Sequence, residues 1–294
     1  MYGLVGVQTH AKLALVVRAE GDGLRHYIHL STGNYNVESA RSYTDLDLLT
    51  ANEAFGREAS QLMNILTGYS SRTLTDAFEQ QSRPQWQHFV LAPFDYHRWL
   101  ISRIEQESRN ATDGKPARVV AKLNSLVDSQ VIQALYAASG AGVKVDLIVR
   151  SMCSLVPGVK KVSENIRVMS VVDRFLEHSR ILRFENGGTP EVFLSSGDWM
   201  PRNFQNRIEI TFPLVDRSTR ETAISILDLT LGDTASSWDL QPDGVWKRRG
   251  TSSGLSSQKS FIDIARAESF ALEPYRDAVA HAGKSRKRGK KTKK

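Results

Sequence analysis

Between residues 89 and 149 the chain alternates short apolar runs with longer amphipathic stretches. Short apolar runs are typical of buried strands, and apolar residues that recur at helical spacing are typical of helices. Their order predicts a β-α-β-α-β arrangement, and therefore an α/β fold with a mostly parallel sheet and helices packed on it. The predicted strands span residues 89–92, 117–123 and 143–149, and the predicted helices span residues 95–109 and 128–139.

Polar residues mark the ends of these predicted elements. Asp128 is a suitable N-cap and Gly140 a suitable stop for the second helix. Asn124 and Arg150 each follow a predicted strand. Parallel α/β sheets form their sites beyond the carboxyl ends of the strands, so both side chains are candidates for a ligand site.

Two segments of the chain resemble each other. Each begins with a histidine two residues before a cation and an apolar strand, as THAK at 9–12 and EHSR at 177–180. Each later reaches a hydroxyl residue, a glycine, a short polar residue and an aromatic residue, as TGNY at 32–35 and SGDW at 196–199. Two matches in the same order predict an internal duplication.

The spacing of histidine and cation suits phosphate chemistry. Side chains alternate along a strand, so His10 and Lys12 share a face, as do His178 and Arg180. Each pair combines a base that is largely neutral near pH 7 with a fixed positive charge. An imidazole can attack a phosphorus atom or carry a proton while the cation neutralises phosphate oxygens.

Composition excludes several classes of protein. The chain has 294 residues, of which 40% are hydrophobic and 24% charged, as in ordinary globular proteins. No apolar run approaches the roughly 18 residues that a membrane span needs, so we expect no membrane span. The single cysteine, Cys153, excludes an internal disulfide and a multi-cysteine metal site. We expect a cytoplasmic protein.

The net charge of +7 comes from one end of the chain. Residues 284–294 hold eight lysines and arginines and no acidic residue, which leaves 31 basic against 32 acidic residues elsewhere. Such a run predicts a disordered tail, either simply solvated or able to bind polyanions. Nucleic acid is therefore expected to bind only non-specifically, through the tail.

Besides the repeat, several longer segments of the chain resemble a known family. They lie in one order over roughly residues 3–245 and are similar to type 1 polyphosphate kinase, specifically to its C-terminal part. The resemblance implies two phospholipase-D-like halves with mostly parallel mixed sheets flanked by helices. The matching segments are residues 9–13, 29–36, 43–45, 121–128, 146–155, 163–167, 174–180 and 195–203.

The resemblance also implies how the chain divides. The second histidine follows a long α/β stretch, whereas His10 follows only nine residues, so the first half is expected to be incomplete. An incomplete half predicts an exposed sheet edge or apolar patch. The predicted parts are a partial first catalytic domain (1–88, with a polar joint at 70–87), a second catalytic domain (89–250), an extension with a helix at 259–272 (251–283) and the basic tail (284–294).

The implied activity is reversible transfer of the terminal phosphate of ATP to polyphosphate through a phosphohistidine. The resemblance assigns the phosphorylated histidine to His10 and the second catalytic histidine, which also contacts phosphate, to His178. It implies ATP, ADP and polyphosphate as ligands, Mg²⁺ as cofactor and a possible homo-oligomer. No metal ligands are expected within this chain, because the family's magnesium-linked arginines lie in a part that it lacks. The remaining implied ATP- or phosphate-binding residues are Lys12, Asn34, Tyr43, Arg150 and Arg180.

Two other functions stay open at this point. The duplicated histidine–cation pattern also fits a phospholipase-D-type phosphodiesterase. That motif places an aspartate seven residues after the histidine, where this chain has Val17 and Glu185. The short first half fits a non-catalytic module that binds polyanions.

Overall fold

The computed structural model describes residues 6–21, 23–67 and 86–267. The described chain forms one large mixed sheet of ten strands, a three-stranded antiparallel sheet and a two-stranded parallel sheet. The strands are β1 (Gln8–Thr9), β2 (Lys12–Glu20), β3 (Gly23–Ser31), β4 (Tyr43–Thr44), β5 (Asp47–Thr50), β6 (Val90–Ala92), β7 (Arg118–Leu123), β8 (Lys144–Val149), β9 (Ile166–Val171), β10 (Leu176–Glu177), β11 (Arg180–Phe184), β12 (Glu191–Ser195), β13 (Arg207–Pro213), β14 (Ser237–Leu240) and β15 (Trp246–Arg248).

Seven α-helices and one short 3-10 helix (Asn186–Gly188) accompany these strands in the described residues. The α-helices are α1 (Val37–Ser42), α2 (Glu53–Leu66), α3 (Tyr96–Thr112), α4 (Ser129–Gly140), α5 (Pro201–Gln205), α6 (Arg217–Leu231) and α7 (257–267).

The central elements match the sequence pattern closely. The predicted strands and helices between residues 89 and 149 appear as β6, α3, β7, α4 and β8. Asp128 is the N-cap of α4, where its carboxylate accepts hydrogen bonds from the backbone N–H groups of Gln130 and Val131. The helix predicted for residues 259–272 begins at 257, and its residues beyond 267 lie outside the described part.

The large sheet is less parallel than predicted. Its strands run in the order β1-β13-β12-β11-β7-β8-β9-β14-β15, and β6 also pairs with β13. Parallel pairing is confined to β7–β8, β8–β9 and β1–β13. The strands after the second histidine, β11 and β12, are joined by a short connection, which can only join antiparallel neighbours.

Two cores cover the two faces of this sheet. One face packs against α3 and α4. The other packs against α2 and α6, and there Ile28 and Phe55 of the first half join Ile210 and Phe212 of the second. The two halves therefore share the second of these cores, and burial of its apolar surface holds them together.

Backbone pairing also joins the halves. β1, from the first half, pairs in parallel with β13 of the large sheet. β4, also from the first half, pairs in parallel with β10, which immediately precedes His178. These two contacts bring the segments that carry the repeated histidines to the same region of the molecule.

The described residues leave one face of the three-stranded sheet uncovered. Val16 of β2 lies opposite Tyr27 of β3, Leu49 of β5 lies opposite His29 two residues further along β3, and Leu49 is 78% exposed. A shallow cleft of about 340 Å³ runs along this face. The prediction of an exposed apolar patch on the first half is confirmed.

No helix within 6–67 or 86–267 has both the length and the apolar character that a bilayer crossing requires. The basic tail at 284–294 and most of the predicted joint at 70–87 lie outside the described residues.

The shared core predicts that a first-half substitution destabilises the whole protein. Ile28 is 1% exposed, so Ile28→Ala is expected to lower the free energy of unfolding by about 2–5 kcal/mol in one cooperative urea transition. Leu49→Ala, on the uncovered face, is the control and should change it by less than about 0.5 kcal/mol. A loss confined to a separate early transition would contradict a shared core.

Candidate active site

His10 lies between β1 and β2. Its backbone N–H donates to the carbonyl of Ile208 at 2.9 Å, which fixes the main chain against β13. Its ring Nδ1 lies 2.8 Å from Glu209 Oε2, and its Nε2 lies 2.9 Å from Lys12 Nζ. An ammonium group can only donate, so the hydrogen-bond network assigns the lone pair to Nε2 and the proton to Nδ1. His10, Lys12 and Glu209 are called the first module below.

His178 is held in the same manner. Its Nδ1 lies 2.8 Å from Asp45 Oδ1, and its Nε2 lies 3.1 Å from Arg180 Nη1. Burial, helped by Arg180, keeps the pKa of His178 below its ordinary value in spite of Asp45. The imidazole is therefore neutral at pH 7, with its lone pair on Nε2. His178, Arg180 and Asp45 are called the second module.

The carboxylates of the two modules are crossed between the halves. His10 belongs to the first half and its carboxylate, Glu209, to the second. His178 belongs to the second half and its carboxylate, Asp45, to the first. The modules also lie close together, because Arg180 and Asp45 of the second module both act on the charge of Lys12 in the first. They therefore form one site that exists only when the halves are packed together.

Each carboxylate is fixed by the hydroxyl residue of its own repeat. Thr32 Oγ1 donates to Asp45 and accepts from the backbone N–H of the residue after it. Ser196 Oγ donates to Glu209 and likewise accepts from the backbone N–H of the next residue. The repeated hydroxyl thus holds the carboxylate that orients the histidine of the other half.

The repeated glycines make room for these carboxylates. A Cβ at Gly33 would overlap the carboxyl group of Asp45, and a Cβ at Gly197 would lie 3.0 Å from Glu209 Cγ. In both halves the carboxylate follows the glycine by twelve residues, Gly33 to Asp45 and Gly197 to Glu209. Sequence reasoning missed both carboxylates, although this equal spacing within the repeat is a signal that could have found them.

The two modules differ in how their cations are compensated. Arg180 forms an ion pair with Asp198 at 3.3 Å, whereas Lys12 forms no salt bridge with any residue of the described chain. Burial would raise the pKa of Asp198, but Arg180 and Asn124 outweigh it and keep that carboxylate ionised. The positive charge at His10 is therefore less compensated than the one at His178.

Burial of the Lys12 ammonium group disfavours its charged form. The side chain is 6% exposed, and burial lowers its pKa to about 8, with Arg180 and Arg207 adding to the effect and Glu209 opposing it. Lys12 is therefore still largely charged at pH 7. Arg207, which sequence reasoning did not single out, places a further positive charge near this group.

The other predicted site residues differ in how closely they contact the two modules. The Tyr43 ring packs on the His178 ring with 5.1 Å between centroids. Arg150 Nε donates to Asn124 Oδ1 at 3.1 Å, and Arg150 is electrostatically coupled to Tyr43 and Arg180. Asn34 is exposed on the loop before α1, and the structure shows no hydrogen bond from its side chain to either module among the described residues.

The described residues do not fit a resident magnesium ion. Among them, no group of three or more histidine, cysteine or acidic side chains could hold a metal. Asp45 and Glu209 are engaged by histidines, and Asp198 is engaged by an arginine.

Both parts of the chain match known families. Residues 1–72 match the family described as Polyphosphate kinase C-terminal domain 1, and residues 89–260 match Polyphosphate kinase C-terminal domain 2. A polyphosphate kinase from Synechocystis sp. is 46% identical over 260 residues, covering 88% of this chain and 34% of the relative. One from Streptomyces coelicolor is 46% identical over 278 residues, covering 93% of this chain and 36% of the relative.

A solved structure has a similar fold. The crystal structure of polyphosphate kinase from Porphyromonas gingivalis superposes with a TM-score of 0.81 at 36% identity, covering 91% of this chain and 40% of that protein. The resemblance and the α/β fold class stated from the sequence are confirmed. The chain spans about a third of the length of the curated relatives it matches.

The close approach at Gly33 predicts that a methyl group there disturbs the second module. Gly33→Ala is expected to displace Asp45 and break its hydrogen bond to His178, at a cost of about 1–3 kcal/mol in unfolding free energy. The ring signals of ¹⁵N-labelled histidine report the bond. Gly140→Ala, where a Cβ meets nothing within 4 Å, is the control, and unchanged His178 signals in Gly33→Ala would refute the expectation.

The buried ammonium predicts a pH-dependent gain from removing it. Lys12→Met is expected to raise the free energy of unfolding at pH 7 by about 1–3 kcal/mol. The gain should shrink between pH 8 and 10.5, because the folded wild type loses this proton near pH 8 while the unfolded chain keeps it to about 10.5. Denaturant titrations across this range, with the exposed Lys144→Met as control, measure it. A gain that grows with pH would contradict the assignment.

Proposed function

This chain belongs to the polyphosphate kinase family, and we propose that its two modules carry out reversible phosphoryl transfer between ATP and polyphosphate through a phosphohistidine on His10. The observation that carries the proposal is the crossed arrangement at His10. Glu209 holds Nδ1, while Nε2 keeps its lone pair beside an ammonium group without an ion-pair partner among the described residues.

The first step is attack by His10 Nε2 on the γ-phosphorus of ATP. A bond forms between Nε2 and phosphorus, and the bond from phosphorus to the oxygen bridging the β- and γ-phosphates breaks. The electron pair leaves with ADP. Glu209 stabilises the positive charge that develops on the imidazole through its bond to Nδ1, and Lys12 moves from Nε2 to the phosphate oxygens.

The second step transfers the phosphoryl group to the polymer and restores the free imidazole of His10. A terminal oxygen of polyphosphate attacks the phosphorus, the N–P bond breaks and its electron pair goes back to Nε2, which leaves a polymer one phosphate longer. In this proposal neutral His178 takes the proton of a monoprotonated terminal phosphate on its Nε2, and Arg180 moves from that nitrogen to the phosphate oxygens. Reversal of both steps makes ATP from ADP and polyphosphate.

Phosphoryl transfer of this kind depends on positioning and positive charge more than on other covalent help. Lys12, Arg180 and Arg150 supply fixed charge around the two imidazoles. Tyr43, packed on His178, offers an aromatic face for a nucleotide. Magnesium, as the counter-ion of the nucleotide phosphates, would reduce their charge.

A phosphodiesterase function has less support from the same residues. At the positions where that motif places an aspartate, Val17 is an apolar residue of β2 and Glu185 is bonded to Arg183 at 3.0 Å. The kinase proposal rests in addition on both family matches.

Labelling tests the proposal directly. The full chain, incubated with [γ-³²P]ATP and magnesium, is expected to acquire an acid-labile, base-stable label on His10. His10→Gln should abolish the label. His97→Gln, which alters a different histidine–carboxylate pair, should retain it.

Two results would count against the proposal. One is an unlabelled wild type under conditions that label a relative of full length. The other is hydrolysis of bis-p-nitrophenyl phosphate that disappears in His10→Gln, since this would favour the phosphodiesterase.

A further inference from the structure

A second set of buried polar groups lies behind the His178 segment. Side chains alternate along residues 176–180, so His178 faces the site while Glu177 and Ser179 face the opposite way. There, Lys122 Nζ lies 2.9 Å from Glu177 Oε2 and 2.6 Å from Ser179 Oγ. Lys122 is 3% exposed and Glu177 is 6% exposed. These contacts clamp the main chain on both sides of the histidine.

Glu177 gathers donors from three parts of the protein. Besides Lys122 on β7, Thr44 Oγ1 donates at 3.1 Å and Gln258 Nε2 donates at 2.7 Å. Burial would raise the pKa of Glu177, but these three donors outweigh it and keep the carboxylate ionised. Thr44 directly precedes Asp45, so the same carboxylate also fixes the segment that orients the His178 ring.

Both polar atoms of the Gln258 side-chain amide form hydrogen bonds with this segment. Its Oε1 accepts from the backbone N–H of Phe175 at 2.8 Å, and its Nε2 donates to the carbonyl of Phe175 at 2.8 Å as well as to Glu177. The side chain is 3% exposed. It therefore pairs with the main chain beside β10 as a neighbouring strand would.

The helix that carries Gln258 is anchored by polar contacts at its first turn. Asp233, which is fully buried, accepts from the backbone N–H and the hydroxyl of Ser257 at 2.7 and 2.8 Å. Further along α7, Phe261 and Ile262 line a cavity of about 670 Å³ that Gln258 and Glu177 also line.

From these contacts we propose that Gln258 is a positioning residue for His178. It acts through Phe175 and Glu177 and makes α7, far along the chain, part of the phosphoryl-transfer machinery. The inference rests on the proposed function for its kinetic consequence but not for its structural one. Without Gln258, the 176–180 segment loses one side of its support, and the His178 ring loses its fixed relation to Asp45.

The test uses Gln258→Leu in the full chain, with the exposed Lys259→Leu as control. Turnover in ATP-dependent polyphosphate synthesis is expected to fall about tenfold to a hundredfold in Gln258→Leu, with KM for ATP within about twofold of wild type. In ¹⁵N-histidine spectra the Nδ1 and Nε2 signals of His178 should shift, while those of His10 stay in place. Lys259→Leu should match the wild type in both measurements.

Other variants keep the test decisive. Gln258→Asn, whose amide is one methylene short, should also shift the His178 signals and lower turnover, and it carries the test if Gln258→Leu does not fold. A folded variant with unchanged His178 signals and unchanged turnover overturns the inference. Shifted His178 signals in a chain whose wild type makes no polyphosphate would instead uphold the positioning role and count against the proposed function.

Discussion

The crossed imidazole–carboxylate bonds are the constraint on which the rest of the structure depends. Glu209 orients His10 and Asp45 orients His178, so neither histidine finds its orienting group in its own half. The shared core, the β1–β13 pairing and the β4–β10 pairing all serve this arrangement, because each brings a first-half segment against a second-half one. Stability and function are therefore not separable by domain in this molecule.

Charge is concentrated locally in a body that is nearly neutral overall. The two modules place Lys12 and Arg180 beside imidazoles, and Asp198 compensates only the arginine. A buried lysine with its pKa lowered to about 8 is an unfavourable element of the fold that is favourable for binding phosphate. In the proposed mechanism, this asymmetry between otherwise matched modules distinguishes the phosphate acceptor His10 from the supporting base His178.

The parts of the fold that the sequence predicts are those marked by local patterns of residues. The strands and helices between 89 and 149 are readable because the buried strands are largely apolar and Asp128 caps its own helix. The repeat located both histidines and their cations. Asp45 and Glu209 are harder to find, because their partners lie 133 and 199 residues away and only their equal spacing from the repeated glycines marks them. The sequence does not point to Gln258 either, because its partners Phe175 and Glu177 lie more than 80 residues away along the chain.

The parallel pairing of β1 with β13 has a mechanical consequence. The main chain at His10 is bonded to Ile208, and the next residue along β13 is the carboxylate that holds the imidazole. Base and support thus move together as parts of one sheet. A phosphoryl group on His10 would be stationary, and a growing polymer would have to slide by one unit after each transfer. The phosphorylated histidine would then stay in place while the product moves past it.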